Sequence, residues 1–124
     1  MAIKTQSILW LDDVQAHDYP AAESYLRLIY DEKRVKVIVK KLRKAAIVEF
    51  NAKDIFRASS LSLLGVSNSH VAKDSKKIAK ATALSPLLLV RDSSLGKVII
   101  ADGYHRMCAI YQVSEDALIR CKIV

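Results

Sequence analysis

Apolar residues in the first third of the chain recur at helical spacing. Ala21, Ala22, Tyr25, Leu28 and Ile29 follow Pro20, which suits a first helical turn, and Asp18, which suits a cap; together they predict an amphipathic helix over residues 20–31. The pattern sharpens next. Val35, Ile38, Val39 and Leu42 stand at i, i+3, i+4 and i+7, predicting a second helix from about Glu32 to Ala45 with Lys36, Lys40, Arg43 and Lys44 turned away. Ahead of both, Ser7-Ile8-Leu9-Trp10-Leu11 is a short apolar run that suits a strand or a helix start.

After Ala46 the texture changes. Ile47-Val48-Glu49-Phe50 reads as a short strand, and Asn51 or Asp54 as the cap of a brief helical piece carrying Ile55-Phe56-Arg57. Leu61 to Leu64 ends at Gly65, and Ser67-Asn68-Ser69 is turn-like. Ser69 then caps a predicted helix from His70 to about Thr82, with Val71, Ile78 and Ala81 inward. Ser85-Pro86 ends that helical region. Leu87-Leu88-Leu89-Val90 reads as a buried strand, and Asp92-Ser93-Ser94-Leu95-Gly96 as a hairpin connection into Lys97-Val98-Ile99-Ile100-Ala101. Gly103 turns the chain into a helix over about Tyr104 to Gln112. A last strand, Leu118 to Val124, sets Ile119, Cys121 and Ile123 against Arg120 and Lys122. The expected class is α+β, a small mixed sheet with helices preceded by two N-terminal helices.

Length and composition bound this picture without changing it. A chain of 124 residues is expected to form a single domain, 1–124, with a helical part over 1–46 and a sheet-bearing core over 47–124. An apolar fraction of 52% argues for a folded globule. No apolar run approaches the ~20 residues of a membrane span, and Met1-Ala2-Ile3-Lys4-Thr5-Gln6 lacks a signal-peptide core, so no membrane partner is expected. Two cysteines, Cys108 and Cys121, make neither a disulfide framework nor a zinc set, and the expected location is cytoplasmic.

Charge adds a surface. Lys+Arg 20 against Asp+Glu 13 leaves a net charge of +7, concentrated in Lys33, Arg34, Lys36, Lys40, Lys41, Arg43 and Lys44 and again in Lys73, Lys76, Lys77 and Lys80. Such a balance attracts anions generally: nucleic acid, nucleotides, phosphorylated metabolites. For either cluster alone, a solvated helix face is the simpler reading.

The candidate chemistry lies in Asp102-Gly103-Tyr104-His105-Arg106, where an apolar strand passes into a helix. Gly103 permits a turn that a side chain obstructs. The first N–H groups of the following helix make an anion site, and His105 and Arg106 add side-chain donors. Asp102 at the strand end is placed to orient a magnesium ion or accept a proton, unless it simply bonds the backbone of its own turn. Upstream, His70, Lys73 and Lys77 share one helix face by their spacing of i, i+3 and i+7.

From about Phe50 to Val124 the order of these features resembles the ParB/sulfiredoxin superfamily. The likeness rests on the lysine-bearing helix over 70–81, Ser85-Pro86 and its apolar strand, the hairpin, Asp102-Gly103-Tyr104-His105-Arg106, and Ile119-Arg120-Cys121-Lys122-Ile123-Val124. The resemblance implies a nucleotide-phosphate-binding α+β domain, with ATP or CTP and magnesium as ligands. It implies contacts from Gly103, Tyr104, His105, Arg106, His70, Lys73 and Lys77, with Arg57 approaching the nucleotide and Asp102 as the catalytic candidate for phosphoryl transfer or hydrolysis. Tyr104 stands where sulfiredoxins carry their catalytic cysteine, so peroxiredoxin repair is not expected. The Asp-Gly-x-His-Arg form is nearest to the free-serine kinases and nuclease-like members, yet the upstream acidic base of those kinases has no convincing match here.

Other conspicuous residues read more plainly. His17 and His70 suit surface or capping roles, with no third residue spaced to complete a metal site, and none is expected. Cys108 and Cys121 suit buried small apolar positions. Trp10, Tyr19, Tyr25 and Tyr30 suit packing rather than base stacking. The alternative function is a non-catalytic nucleic-acid- or protein-binding module that uses the basic helix over 33–44.

Overall fold

The structure, a computed structural model, describes residues 8–62, 65 and 68–124. Expectations for Met1–Gln6, Ser7, Leu63, Leu64, Val66 and Ser67 lie outside the described residues. The described elements are α1 (Asp18–Leu26), α2 (Glu32–Lys44), β1 (Val48–Asn51), α3 (Ala52–Ser59), α4 (Ser69–Ala79), β2 (Leu87–Asp92), β3 (Lys97–Asp102), α5 (Tyr104–Val113) and β4 (Leu118–Ile123).

The strands form one mixed sheet in the order β1-β4-β2-β3. β2 and β3 make the antiparallel hairpin, β4 runs parallel to β2 on its other side, and β1 closes the edge antiparallel to β4. Both faces are covered. Leu87, Leu89, Ile100, Ile119 and Cys121 pack with α3, α4 and α5 residues such as Ile55, Val71, Ile78, Met107 and Ile110. Leu88, Val90, Ile99 and Ala101 pack under Ala22 and Leu26 of α1 and Val35, Ile38, Val39 and Leu42 of α2. A two-sided sheet is why Leu87-Leu88-Leu89-Val90 carries no polar alternation. The class is α+β.

Several local expectations change. The first helix starts two residues early, at Asp18, and stops at Leu26; Arg27 to Tyr30 form a turn whose N–H groups bond back to carbonyls of Glu23, Tyr25 and Leu26. Leu28 and Ile29, beyond the helix, and Tyr25, within it, are exposed, Leu28 at 85%, rather than part of the inward stripe. Asp18 does not cap: it lies inside α1 and is buried. Asn51 is the N-cap of α3 but makes no side-chain cap, because the N–H groups of Ala52 and Lys53 bond the carbonyls of Ala117 and Glu115. Asn68, not Ser69, caps α4, accepting from the N–H groups of His70 and Val71. That helix ends at Ala79. Ala81 follows in a left-handed conformation and is exposed, not inward. The run at Leu9 to Leu11 is a short bridge beside Leu84, with Leu11 N–H donating to the Leu84 carbonyl.

Lys122 departs furthest from its expected place. It is 3% exposed, because α1 and α2 cover the sheet face to which the strand alternation assigned it. Its ammonium donates to Tyr19 Oη at 3.0 Å and to the Arg43 carbonyl at 3.1 Å, with Asp13 Oδ1 at 3.3 Å. A lysine buried this way is held by partners on both N-terminal helices.

Candidate functional site

β3 ends at Asp102 and α5 begins at Tyr104, so one residue makes the whole turn. Gly103 has φ of 106°, a left-handed conformation, and a Cβ there would stand 2.6 Å from Leu87 Cγ and 3.0 Å from Arg106 Nη2. Only glycine fits. The turn leaves the first N–H groups of α5 without helical acceptors, the general condition of a helix start.

α4 packs on α5 and brings its polar face to that start. A recess of about 370 Å³ results, lined by His17, Asp18, Ala21, His70, Lys73, Asp74, Lys77, Asp102, Gly103, His105 and Arg106. His70, Lys73 and Lys77 thus come together with Gly103, His105, Arg106 and Asp102. Two predicted residues fall elsewhere. Tyr104 faces an adjoining, more apolar recess of about 430 Å³ with Tyr25, Leu61 and Ile100, and its hydroxyl donates to the Ser62 carbonyl. Arg57 is not brought to the site: α3 turns it outward, 78% exposed, 3.9 Å from Asp54.

The floor is a partly buried ionic network. Arg106 Nη2 donates to Asp102 Oδ2 at 3.0 Å and lies 3.6 Å from Asp18 Oδ2. Asp18 also accepts from Ser85 Oγ at 2.5 Å, and its other oxygen is 3.2 Å from His17 Nε2. Arg106 Nε is buried and finds no acceptor among the described residues. Burial raises the Asp102 carboxyl above its ordinary value and Asp18 adds to this, against the pull of Arg106. The His105 ring sits 4.8 Å from that of His70. Burial, then the neighbouring His70, lowers the His105 pKa, with Asp74 opposing.

Three residues here were not singled out by sequence. His17 reads as a surface or capping histidine and Asp18 as a helix cap, and nothing in the local pattern marks Asp74. Asp18 and Arg106 are far apart along the chain, and no local spacing joins them. With neutral histidines the lining carries Lys73, Lys77 and Arg106 against Asp18, Asp74 and Asp102. The charges balance, so anion affinity turns on backbone N–H groups and on histidine protonation.

A magnesium ion fits only in part. Asp102 and Asp18 are oxygen ligands of the right kind, but each has an oxygen engaged by Arg106 or Ser85. Among the described residues no three histidine, cysteine or acidic side chains gather as a ligand set. Such an ion would therefore need ligand phosphates to complete its shell, as magnesium commonly does. Cys108 and Cys121 are both buried and form no disulfide, and burial raises the Cys121 thiol to about 12, which keeps it protonated. Among the described residues, no helix is long and apolar enough to cross a membrane. Comparison of the chain with protein-family models, curated proteins and solved structures finds no match to any of them.

Proposed function

We propose that this chain is a ParB/sulfiredoxin-like domain that binds the phosphate groups of a nucleotide, ATP or CTP with magnesium, in the recess around Gly103, and that it does so in the cytoplasm. The observation that carries the reading is the left-handed Gly103 start of α5, opening beside His105, His70, Lys73 and Lys77. Free helix N–H groups and side-chain cations around one small recess favour a compact anion. The adjoining recess beside Tyr104 and Tyr25 offers apolar walls for the rest of the ligand. For phosphoryl transfer or hydrolysis, Asp102 is the residue to orient the metal or the nucleophile.

The test is thermal unfolding with ATP, CTP, GTP and ADP, with and without magnesium. A ligand at ~100 times its Kd adds ~2.7 kcal/mol. Lys73→Ala/Lys77→Ala is the informative variant, because Arg106→Ala also strips Asp102 and Asp18 of their partner. A nucleotide-selective shift lost in the double variant supports the reading. No shift with any nucleotide sinks it.

A further inference from the structure

The strongest charged surface of the molecule is separate from the recess, and no residue of α2 lines that recess. On α2, Val35, Ile38, Val39 and Leu42 are buried. At 100° per residue, Lys33, Lys36, Val37, Lys40, Lys41 and Lys44 fall on the opposite side in one stripe. All six are exposed. The two arginines flank the stripe and lie over tyrosine rings: Arg34 is 4.1 Å over the Tyr30 ring and Arg43 4.4 Å over that of Tyr19. Glu32 is the one acidic residue of α2 and stands 3.7 Å from Lys36. Among the described residues, Lys33, Lys40, Lys41 and Lys44 have no carboxylate partner.

We propose that this stripe is a docking ridge for the sugar-phosphate backbone of a nucleic-acid duplex, read by charge and not by base. Charge complementarity and shape favour that partner. The stripe is straight and about 16 Å long at 1.5 Å per residue, a length over which a duplex presents roughly ten phosphates. An anionic membrane is the weaker match. Interfacial helices bury an apolar face in lipid, but the apolar face of α2 is already against the sheet, leaving only Val37, 48% exposed, on the outer side.

The experiment is fluorescence anisotropy of the full chain with a labelled mixed-sequence DNA duplex of about 20 base pairs, across a salt series. If the five lysines each neutralise a phosphate, the log–log salt slope is about −4.5, and raising salt fourfold weakens binding roughly 500-fold. Lys40→Gln/Lys41→Gln/Lys44→Gln, all exposed positions, reduces the slope to about −1.8. A matched control, Lys76→Gln/Lys80→Gln/Lys97→Gln, keeps the wild-type slope. Equal losses in the two variants overturn the ridge, as does the absence of duplex binding at low salt. Binding to phosphatidylserine vesicles in place of the duplex overturns it as well.

Discussion

At Gly103 two constraints coincide: a backbone conformation closed to most side chains and a Leu87 side chain where a Cβ belongs. Gly103→Ala should therefore lower stability by about 1–3 kcal/mol in denaturant unfolding. It should also push on Arg106 and loosen whatever anion the recess holds. His105 makes a second prediction. Its lowered pKa leaves it neutral at pH 7, where the formal charges of the recess cancel. Sulfate, whose charge is constant in this range, should bind more tightly as pH falls below ~6.5, and His105→Gln should weaken that dependence in isothermal titration. The motif at residues 102–106 was legible because its parts are contiguous, and His70, Lys73 and Lys77 because helical spacing alone aligns them. Asp18 was not, since its partners Ser85 and Arg106 reach it only through the tertiary fold. The expectation for Arg57 came from likeness and not from local spacing, and the turn of α3 leaves it exposed and outside the recess lining.

The turn after α1 shows what periodicity misses. Tyr25, Leu28 and Ile29 keep a helical rhythm, but the chain leaves the helix at Leu26 and delivers Tyr30 to the β2–β3 hairpin. Tyr30 Oη donates to Asp92 Oδ2 at 2.5 Å, and Ser94 Oγ donates to the other oxygen. Hydrogen bonds from Ser94 and Tyr30 hold the Asp92 carboxyl down at about 2, against 3.8 ordinarily. Burial, then the bond to Asp92, raises the Tyr30 hydroxyl to about 12, against 10.0. The signs differ. The Asp92 contribution is complete above about pH 4 and is lost as pH falls through about 2. That of Tyr30 is complete below about pH 10 and is lost as pH rises through about 12. Tyr30→Phe should remove the Tyr30 share of the alkaline limb of a stability–pH profile, leaving that of Cys121, and only narrow the acid one, because Ser94 remains. The second helix, by contrast, was legible nearly to the residue. Its stripe runs from Val35 to Leu42, and Asp31 caps it through the N–H of Arg34.

Across the whole molecule, Lys122 joins the sheet to both N-terminal helices. Lys122→Met keeps much of the volume but leaves Tyr19 Oη and the Arg43 carbonyl without their donor. A loss of about 1–3 kcal/mol is expected. The helical part and the core should still melt in one transition, since α1 and α2 own one face of the only sheet described; two resolved calorimetric transitions would contradict this. The α+β class and the helical N-terminal third were readable from hydrophobic spacing. The coverage of both sheet faces was not, because a strand such as Ile119 to Ile123 alternates equally well beside solvent or beneath helices. The position of β4 carries a kinetic consequence. It lies between β1 and β2, so a strand from the far end of the sequence must insert before the sheet is continuous. Local hairpins cannot build that arrangement stepwise. Refolding should be limited by one long-range loop closure, on a millisecond-to-second scale instead of the microseconds open to helical bundles.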